Sequence, residues 1–478
     1  MSEAETDTKI ITGSNDESFK DTISIVNKEG GRKWIYPKKP VGRFYKARTI
    51  LSVFLLAFMF GAPWIKIDGH PFMLFNIIER RFILFGTVFT PQDFYLFGLV
   101  MIFAFVTLFL VTAVYGRLFC GWLCPQTIFL EMVFRKIEYF IEGDYIRQKT
   151  LNASPWDLKK IFKKFSKYGI FFIISFLIAN TFLAYIIGID ELLKIISEPV
   201  SAHLSGFISI TVFTIFFYWI FAWFREQACI LVCPYGRLQS VLLDKNSIVI
   251  AYDKIRGEPR GKVKDKQKDN LGDCIDCKLC VNVCPTGIDI RNGTQLECVN
   301  CTACIDACDS IMDKVGRPRG LIRFDSMESI EKRTGFKWTS RLTGYTSVLS
   351  VLLIVIIFLF SIRSEIDINI LRTPGMLFQN QQDNKVSNMY NIKISNKTYD
   401  EKKIDLKIKE SYGEIKLIGN DIILKPLEIR EGSMLILLPK EIIKLTNTPV
   451  SIEVFSDGEK VDELKTNFLG PQNLNKQK

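Results

Sequence analysis

The sequence predicts an α-helical integral membrane protein with five transmembrane helices, an inserted cysteine-rich domain and a C-terminal all-β domain. Three observations lead to this fold class. Five apolar runs are about long enough to cross a bilayer, regularly spaced cysteines crowd one polar loop, and the C-terminal residues alternate between apolar and polar. Hydrophobic residues make up 48% of the chain and charged residues 24%, so a large part of it must also lie in water.

Residues 1–45 are predicted to form a polar N-terminal tail. Residues 1–33 contain few apolar and many charged side chains, a composition typical of disorder. The basic segment 38–48 leads directly into the first apolar run. No apolar core precedes that run, so we expect no signal peptide.

Five apolar runs are predicted to be transmembrane helices. They cover residues 49–65, 94–115, 168–189, 204–224 and 345–362. The first run is the least regular, because Pro63 and Lys66 interrupt its end. We therefore expect a four-helix transmembrane domain at residues 46–243 and a separate fifth helix at residues 341–363.

The charges of the loops predict the orientation of these helices. Ten Lys and Arg residues lie between the second and third runs, one lies between the third and fourth, and three lie between the first and second. The positive-inside rule then places the N-terminus and the second and fourth loops in the cytoplasm. This loop asymmetry also explains the net charge of +11, so we expect no nucleic-acid binding.

The fourth loop, residues 244–340, contains two groups of cysteines with the same spacing. The groups are Cys274, Cys277, Cys280 and Cys284, then Cys298, Cys301, Cys304 and Cys308. This is the spacing of bacterial ferredoxins with two [4Fe–4S] clusters, in which each group lends its fourth thiolate to the other cluster. We therefore assign one cluster to Cys274, Cys277, Cys280 and Cys308, and the other to Cys298, Cys301, Cys304 and Cys284.

Zinc and simple packing are the alternatives for these thiols. Structural zinc sites usually combine two separated Cys-x-x-Cys pairs rather than three cysteines in one tight loop. Packing alone does not produce so regular a series. All 12 cysteines of the chain belong to motifs, and none is left for a disulfide framework, which indicates a reducing compartment. With only two histidines, a haem or a histidine-rich copper site is nearly excluded.

Two Cys-x-x-x-Cys-Pro motifs follow the second and fourth apolar runs. They contain Cys120 and Cys124, and Cys229 and Cys233. If each stretch stays helical, residues four apart share one face, and the proline just beyond ends or kinks the helix. Both motifs map to the cytoplasmic ends of their helices, so the four thiols can meet across a helix–helix contact.

These four membrane-edge cysteines are our candidate catalytic residues and candidate copper ligands. Soft sulfur ligands suit Cu(I), although dithiol chemistry or another metal would use the same side chains. The alternative is structural, because cysteine is also a small apolar residue that permits close helix packing.

The C-terminal residues 364–478 are predicted to form a β-sandwich. Ile404, Leu406 and Ile408 alternate with charged residues, and several such short runs follow one another. With five spans, this domain lies outside the cytoplasm. It contains no cysteine, so we expect a docking or structural role.

Other polar and aromatic residues near the spans receive simpler interpretations. Asp93, Asp190 and Glu226 are expected to be solvated helix caps. Trp122 is expected to belong to an interfacial aromatic belt. The charged segment that starts at Tyr252 is expected to be a flexible tether for the cysteine-rich domain.

The motifs YGRLFCGWLCPQ and EQACILVCPYGRLQS, followed by the double cysteine run, a fifth span and a β-rich tail, resemble one known family. It comprises the cytochrome c oxidase accessory proteins called CcoG, FixG or RdxA, and the resemblance covers nearly the whole chain from Lys33. Asp309 stands where simple ferredoxins have proline after the last cysteine, which is similar to this family.

The resemblance implies a multi-pass protein of the bacterial inner membrane that helps to assemble a cbb-type haem–copper oxidase. It implies reduction of Cu(II) to Cu(I) for the oxidase, an immunoglobulin-like C-terminal domain, a cytoplasmic electron donor, and oxidase assembly factors or a copper chaperone as partners. Two other functions stay open, namely a quinol-linked membrane electron-transfer subunit and a non-enzymatic assembly scaffold.

Overall fold

The computed structural model describes residues 24–26, 31–67, 69–77, 81–89, 93–262, 271–333, 340–381, 384–409, 412–419, 422–443 and 446–471. Most of the predicted disordered tail, and residues 263–270 of the predicted tether, lie outside these ranges. The chain divides into two compact units. One unit comprises Met1–Asn76 and Met101–Leu353, and the other comprises Ile77–Val100 and Ile354–Lys478.

Five helices among the described residues are long and apolar enough to cross a membrane. They are Arg43–Trp64, Phe94–Tyr115, Leu158–Ile187, Leu204–Phe224 and Leu342–Ser361, hereafter the first to fifth apolar helices. The third begins at Leu158 rather than at residue 168, because the Asp157 carboxylate caps it by accepting a hydrogen bond from Lys160 N at 2.7 Å.

Short helical segments follow several of the apolar helices. After the second come Leu118–Trp122, Pro125–Ile128, the π-helical turn Phe129–Phe134, Arg135–Ile141 and Tyr145–Ala153. Ile189–Ser197 follows the third, and the π-helical turn Ala228–Val232 and Pro234–Leu242 follow the fourth. Two short antiparallel strands, Lys66–Ile67 and His70–Pro71, and the strand Met73–Asn76 follow the first.

An aromatic core holds the second loop against the third and fourth apolar helices. The ring of Phe134 stacks on that of Phe221 with centroids 4.6 Å apart, and meets Phe171 edge-on at 4.8 Å. Phe134 and Phe171 are fully buried. Aromatic pairs add specific geometry to the burial of their large apolar area, so this core fixes where the second loop lies.

The cysteine-rich segment is built around a two-stranded antiparallel sheet. The strand Val249–Tyr252 pairs with Ile322–Asp325. The short helices of the segment are Lys254–Gly257, Leu279–Asn282, Ile290–Asn292, Ala303–Lys314 and Met327–Lys332. Because Tyr252 is buried in a strand and a helical turn follows it, the prediction of a flexible tether is wrong for the start of that stretch.

This segment is hydrogen-bonded to the N-terminal end of the first apolar helix. The Asp306 carboxylate lies in the helix Ala303–Lys314 and accepts hydrogen bonds from Phe44 N at 3.1 Å and Tyr45 N at 2.8 Å. These are free amides of the first helical turn, where a negative charge is also favoured by the helix dipole. The cysteine-rich segment therefore lies at the end of the apolar helices where the first of them begins.

The C-terminal unit is a β-sandwich, as predicted, and all its strand pairs are antiparallel. One sheet has the order Glu414–Ile418, Ile429–Pro439, Lys385–Asn396, Ile366–Arg372, and Gln379–Asn380 also pairs with Lys385–Asn396. The other has the order Ile422–Leu424, Lys402–Ile408, Asn447–Ser456, Glu459–Leu469. Buried side chains such as Tyr390, Met434 and Ile452 form its core. The hairpin of Arg81–Leu84 and Thr87–Phe89 belongs to the same unit.

Asp93 is buried in this second unit, so its interpretation as a solvated cap is wrong. It is only 2% exposed. Its carboxylate accepts hydrogen bonds from Arg363 Nη2 at 2.8 Å and from Lys397 Nζ at 2.7 Å. Burial alone would raise the pKa of Asp93, but the two cations outweigh it and lower the pKa. Asp190, by contrast, is exposed and pairs with Lys66.

Candidate metal centres

The two cysteine loops of the cysteine-rich segment have the same backbone conformation. In each loop the residues on both sides of the middle cysteine are left-handed: Asp276 and Lys278 have φ of 48° and 55°, and Asn300 and Thr302 have φ of 52° and 66°. Such conformations are uncommon for residues other than glycine and cost about 1–3 kcal/mol each. Their repetition at matching positions indicates that both loops are shaped to wrap around a group.

Each loop leads into a helix that presents the remaining thiols. Cys280 lies in Leu279–Asn282, whereas Cys304 and Cys308 lie one turn apart in Ala303–Lys314. Cys284 follows the first of these helices and precedes Pro285. The third cysteine of each group, Cys280 or Cys304, is therefore buried. Cys308 lies beside the first cysteine loop.

Two cavities lie beside these loops. One is lined by Cys274, Cys277, Cys280 and Cys308, and we call it the outer cavity. The other is lined by Cys284, Cys298, Cys301 and Cys304, with Cys280 also in its wall, and we call it the inner cavity. Each expected set of four thiols therefore lies at one cavity, and the fourth thiol of each set comes from the other cysteine group.

The chemistry of these thiols fits multinuclear clusters better than single ions. Burial raises the pKa of Cys301 to about 11 and those of Cys280, Cys298 and Cys308 to about 12, so a metal group must displace their protons as it binds. Throughout the described part of the chain, the four membrane-edge thiols included, no three His, Cys, Asp or Glu side chains are close enough together to hold one metal ion. A cubane separates its four thiolates more widely than a zinc ion with bonds of about 2.3 Å does.

The two membrane-edge motifs are not continuous helices. Cys124 and Cys233 are extended, with ψ of 123° and 112°, and Pro125 and Pro234 begin new helices. The condition for each pair to share one helical face is therefore not met, whereas the predicted break of the helix at each proline is confirmed. The physical reason is that proline forces the residue before it out of the helical region, while proline itself suits the first position of a helix.

The four membrane-edge thiols nevertheless lie near one another, although no three of them are close enough to hold one metal ion. Cys120, Cys124 and Cys233 are all electrostatic neighbours of Cys229. The Gln239 amide contacts Cys120 Sγ at 3.4 Å and so links the two motifs. Burial raises the pKa of Cys120 to about 11 and that of Cys229 to about 12, and this outweighs the opposing charge of Arg117 on Cys120. Any metal ion bound here would therefore have to displace their protons.

The first membrane-edge motif packs directly against the inner cysteine loop. A Cβ atom on Gly121 would lie 2.4 Å from Val299 O and 2.8 Å from Asn300 O, so only glycine permits this approach. The Trp122 indole N–H donates to Asn300 O at 3.3 Å. Trp122 is thus hydrogen-bonded to the cysteine-rich segment, a contact that its assignment to an interfacial aromatic belt does not include.

A buried network of charges supports the second membrane-edge motif. Arg225, with φ of 49°, lies between the π-helical turn Ile220–Phe224 and the π-helical turn Ala228–Val232, which contains Cys229. Its guanidinium donates to the Glu138 carboxylate at 2.5 and 2.9 Å. Arg135 is fully buried and pairs with Glu226, and with Glu131 at 3.2 Å. The network joins the second loop to the turn that carries Cys229.

The sequence analysis missed this network and wrongly took Glu226 as a solvated cap. Burial alone would raise the pKa of Glu138, but the charge and hydrogen bonds of Arg225 lower the pKa to about 2. A signal was present, because the acidic residues of the second loop recur at helical spacing on one face. They are Glu131, Glu138 and Glu142, with Arg135 between the first two.

Comparison with known protein families gives iron–sulfur descriptions for both groups of cysteines. Residues 224–327, which include Cys229 and Cys233, match a family described as a 4Fe-4S dicluster domain, and residues 97–143, which include Cys120 and Cys124, match a 4Fe-4S binding domain. Residues 356–471 match the IG-like fold at the C-terminus of FixG. Iron–sulfur chemistry is therefore assigned to the cysteine-rich segment, and the second unit has an immunoglobulin-like fold.

Three curated relatives align with most of the chain. Protein RdxB of Cereibacter sphaeroides is 35% identical over 382 residues, which cover 77% of this chain and 80% of RdxB. Protein RdxA of the same organism is 34% identical, covering 79% and 83%. The nitrogen fixation protein FixG of Rhizobium meliloti is 32% identical, covering 79% of each chain.

Among solved structures, the FixG-related protein from Vibrio parahaemolyticus aligns with 22% of this chain and 97% of its own at 17% identity, with a TM-score of 0.19 that is too low to carry an argument. The family therefore rests on the three curated relatives, and the resemblance seen in the sequence motifs is confirmed. The chain belongs to the FixG and RdxA family of membrane-associated iron–sulfur redox proteins.

Proposed function

We propose that this protein reduces Cu(II) to Cu(I) at its four membrane-edge thiols and thereby serves the assembly of a cbb-type cytochrome c oxidase. The observation that carries the proposal is the contact of Gly121 and Trp122 with Val299 and Asn300. It joins the loop of one candidate centre to the loop of the other through backbone atoms. A protein that moves electrons between two centres needs them in such close contact.

The ligands of two [4Fe–4S] clusters are proposed from the two cavities. Cys274, Cys277, Cys280 and Cys308 would hold one cluster at the outer cavity, and Cys284, Cys298, Cys301 and Cys304 would hold the other at the inner cavity. When bound, such clusters supply one-electron transfer. The chain's own part is to hold the two centres in a fixed order, with Cys280 in the wall that separates them.

The exposure of the thiols suggests the direction of electron flow. Cys277 at the outer cavity is exposed, so a soluble reductant can approach this side of the segment. The inner cysteine loop instead faces the membrane-edge motif through Val299 and Asn300. The outer side thus suits a cytoplasmic donor, and the inner side suits the membrane-edge thiols.

The membrane-edge thiols would bind copper and favour its reduced state. Thiolates are soft ligands and prefer Cu(I) to Cu(II). Each Cu(II) that is reduced takes up one electron, which comes from the cytoplasmic donor. Gln239, at 3.4 Å from Cys120 Sγ, helps to orient this thiol towards the second motif.

The proposed orientation has all five apolar helices in the bacterial inner membrane, with the cysteine-rich segment in the cytoplasm. In support, this segment contacts the start of the first apolar helix through Asp306, and Asn300 Nδ2 donates to Tyr115 O at the end of the second. The basic start of the third helix lies near the same second loop, since Lys167 pairs with Glu142 at 3.0 Å. By the number of spans, the β-sandwich is then periplasmic.

Metal analysis of anaerobically purified protein tests the proposal. We expect about eight iron and about eight acid-labile sulfide per chain, as two [4Fe–4S] clusters require. After reduction, EPR should detect two interacting paramagnetic centres. Copper should bind in addition to this iron, and Cu(II) added to the reduced protein should appear as Cu(I). Stoichiometric zinc without sulfide would contradict the proposal.

Gly121→Ala is expected to slow Cu(II) reduction without loss of iron. The new Cβ would lie 2.4 Å from Val299 O, so the membrane-edge loop and the inner cysteine loop must separate. Electron transfer slows as the distance between two centres grows, so the rate should fall while both centres stay intact. The measurement is the rate at which reduced protein delivers electrons to Cu(II), followed by stopped flow.

Gly169→Ala is the matched control, because a Cβ at this helical glycine meets nothing within 4 Å. It should reduce Cu(II) at the wild-type rate. If Gly121→Ala is as fast as Gly169→Ala at equal iron content, then the contact does not carry the electrons.

A further inference from the structure

Arg48 is a buried cation whose hydrogen-bond donors are not all used. It lies in the first apolar helix and is only 4% exposed. Its Nε and Nη2 atoms have no hydrogen-bond partner among the residues that the structure describes. Burying a guanidinium with unused donors is costly, so a negatively charged group is expected nearby.

The surroundings of Arg48 indicate which group this is. Arg48 and the inner thiol Cys301 line one small cavity, together with Tyr45, Tyr139 and Glu131. Cys301 is the only one of these residues that belongs to a proposed cluster site. Burial raises the pKa of the Cys301 thiol, and the charge of Arg48 acts against that rise.

The acidic residue of this cavity already has a partner. Glu131 pairs with Arg135 at 3.2 Å, and Arg135 also pairs with Glu226. Arg117 is a second buried cation near the inner site, and its charge acts on Cys298. The inner site is therefore flanked by two buried arginines.

The outer site has the opposite electrostatic surroundings. Arg291 is the cation near Cys280, but it donates to Asp289 at 2.6 and 2.8 Å and to Asp276 at 2.6 Å. Asp309 adds a negative charge beside Cys308. The positive charge near the outer thiols is thus matched or exceeded by carboxylates.

We propose that Arg48 raises the reduction potential of the cluster held by Cys284, Cys298, Cys301 and Cys304 above that of the outer cluster. Reduction adds one negative charge to a cluster, and a nearby buried cation stabilises the reduced state. Net charge and hydrogen bonds to sulfur are known determinants of cluster potentials. The inference rests on the proposed ligand sets, and it makes electron flow towards the membrane-edge thiols downhill.

The test is a redox titration of the full-length protein, monitored by EPR and carried out without copper. In Arg48→Gln, the equilibrium constant for reduction of one cluster should fall at least tenfold. For a one-electron couple this lowers the reduction potential of that cluster by about 59 mV. The other cluster should be unchanged. Lys46→Gln is the matched control, because it removes an exposed charge from the same helix, where solvent screens it.

The proposal also predicts which of the two clusters has the lower reduction potential. Testing this prediction does not require the Arg48→Gln variant to fold. Cys277→Ser changes a ligand of the outer site alone and should alter the signal of the cluster with the lower potential. The inference is overturned if Cys277→Ser alters the higher-potential cluster, or if Arg48→Gln shifts neither cluster or both equally. Absence of clusters from the wild-type protein would instead refute the proposed function itself.

Discussion

Replacing Cys120, Cys124, Cys229 and Cys233 together by serine is expected to abolish Cu(II) reduction by the purified protein. Serine has nearly the same shape, but its hard hydroxyl oxygen does not stabilise Cu(I). Iron and sulfide contents should stay at the wild-type level, because none of these residues lines the outer or inner cavity. The measurement is the yield of Cu(I) trapped by a chelator specific for that ion after the protein has been reduced.

The two pair variants sharpen this experiment. Since all four thiols are neighbours, replacing either Cys120 and Cys124 or Cys229 and Cys233 should abolish reduction as completely as replacing all four. If each pair variant keeps about half of the activity, the motifs are two independent sites. Undiminished Cu(I) production by the fourfold variant would refute the catalytic role of these thiols.

The apolar helices could be predicted from the sequence because long apolar runs decide their position. The second and fourth apolar helices, Phe94–Tyr115 and Leu204–Phe224, have the bounds that the runs predict. The third apolar helix begins ten residues before the predicted run, at Leu158. The lysines in this first part fit a helix, but they lower its hydropathy. Its cap at Asp157 is a local signal that the hydropathy pattern alone does not contain.

The sequence indicated which cysteines lie together, but only part of the backbone conformation that positions them. The spacing alone indicated which four thiols would gather at each cavity. The extended conformation of Cys124 and Cys233 follows from a local rule on residues before proline, which the assumption of a continuous helix overrode. The bond from Trp122 to Asn300 joins residues 178 positions apart, and no local pattern predicts such a contact.

Buried charges were the main error, and the reason is physical. Glu226 pairs with Arg135, which is 91 residues away in the sequence, and Asp93 pairs with Lys397, which is 304 residues away. A charged residue beside an apolar run is usually solvated, and only the tertiary fold supplies the partner that makes its burial tolerable. The electrostatic contrast between the two cysteine sites is hidden from the sequence for the same reason.

Glu138→Ala is expected to destabilise the helical unit by about 3–5 kcal/mol, the usual result of removing one partner from a buried ion pair. The change leaves the Arg225 guanidinium buried without the carboxylate that it contacts at 2.5 and 2.9 Å. Thermal unfolding in detergent measures the effect. Asp313→Ala is the control, since it breaks an exposed pair with Arg319 and should change the unfolding temperature little.

The same ion pair predicts how stability depends on pH. Because the pKa of Glu138 is lowered from 4.5 to about 2 in the folded protein, the carboxylate stabilises the fold fully above pH 4.5. This contribution is lost as the pH falls from 4.5 towards 2, and Glu138→Gln should lack that part of the pH dependence. A wild-type unfolding temperature in Glu138→Ala would mean that Arg225 finds another partner. That partner would be Glu226, whose carboxylate lies 3.7 Å from Arg225 Nε.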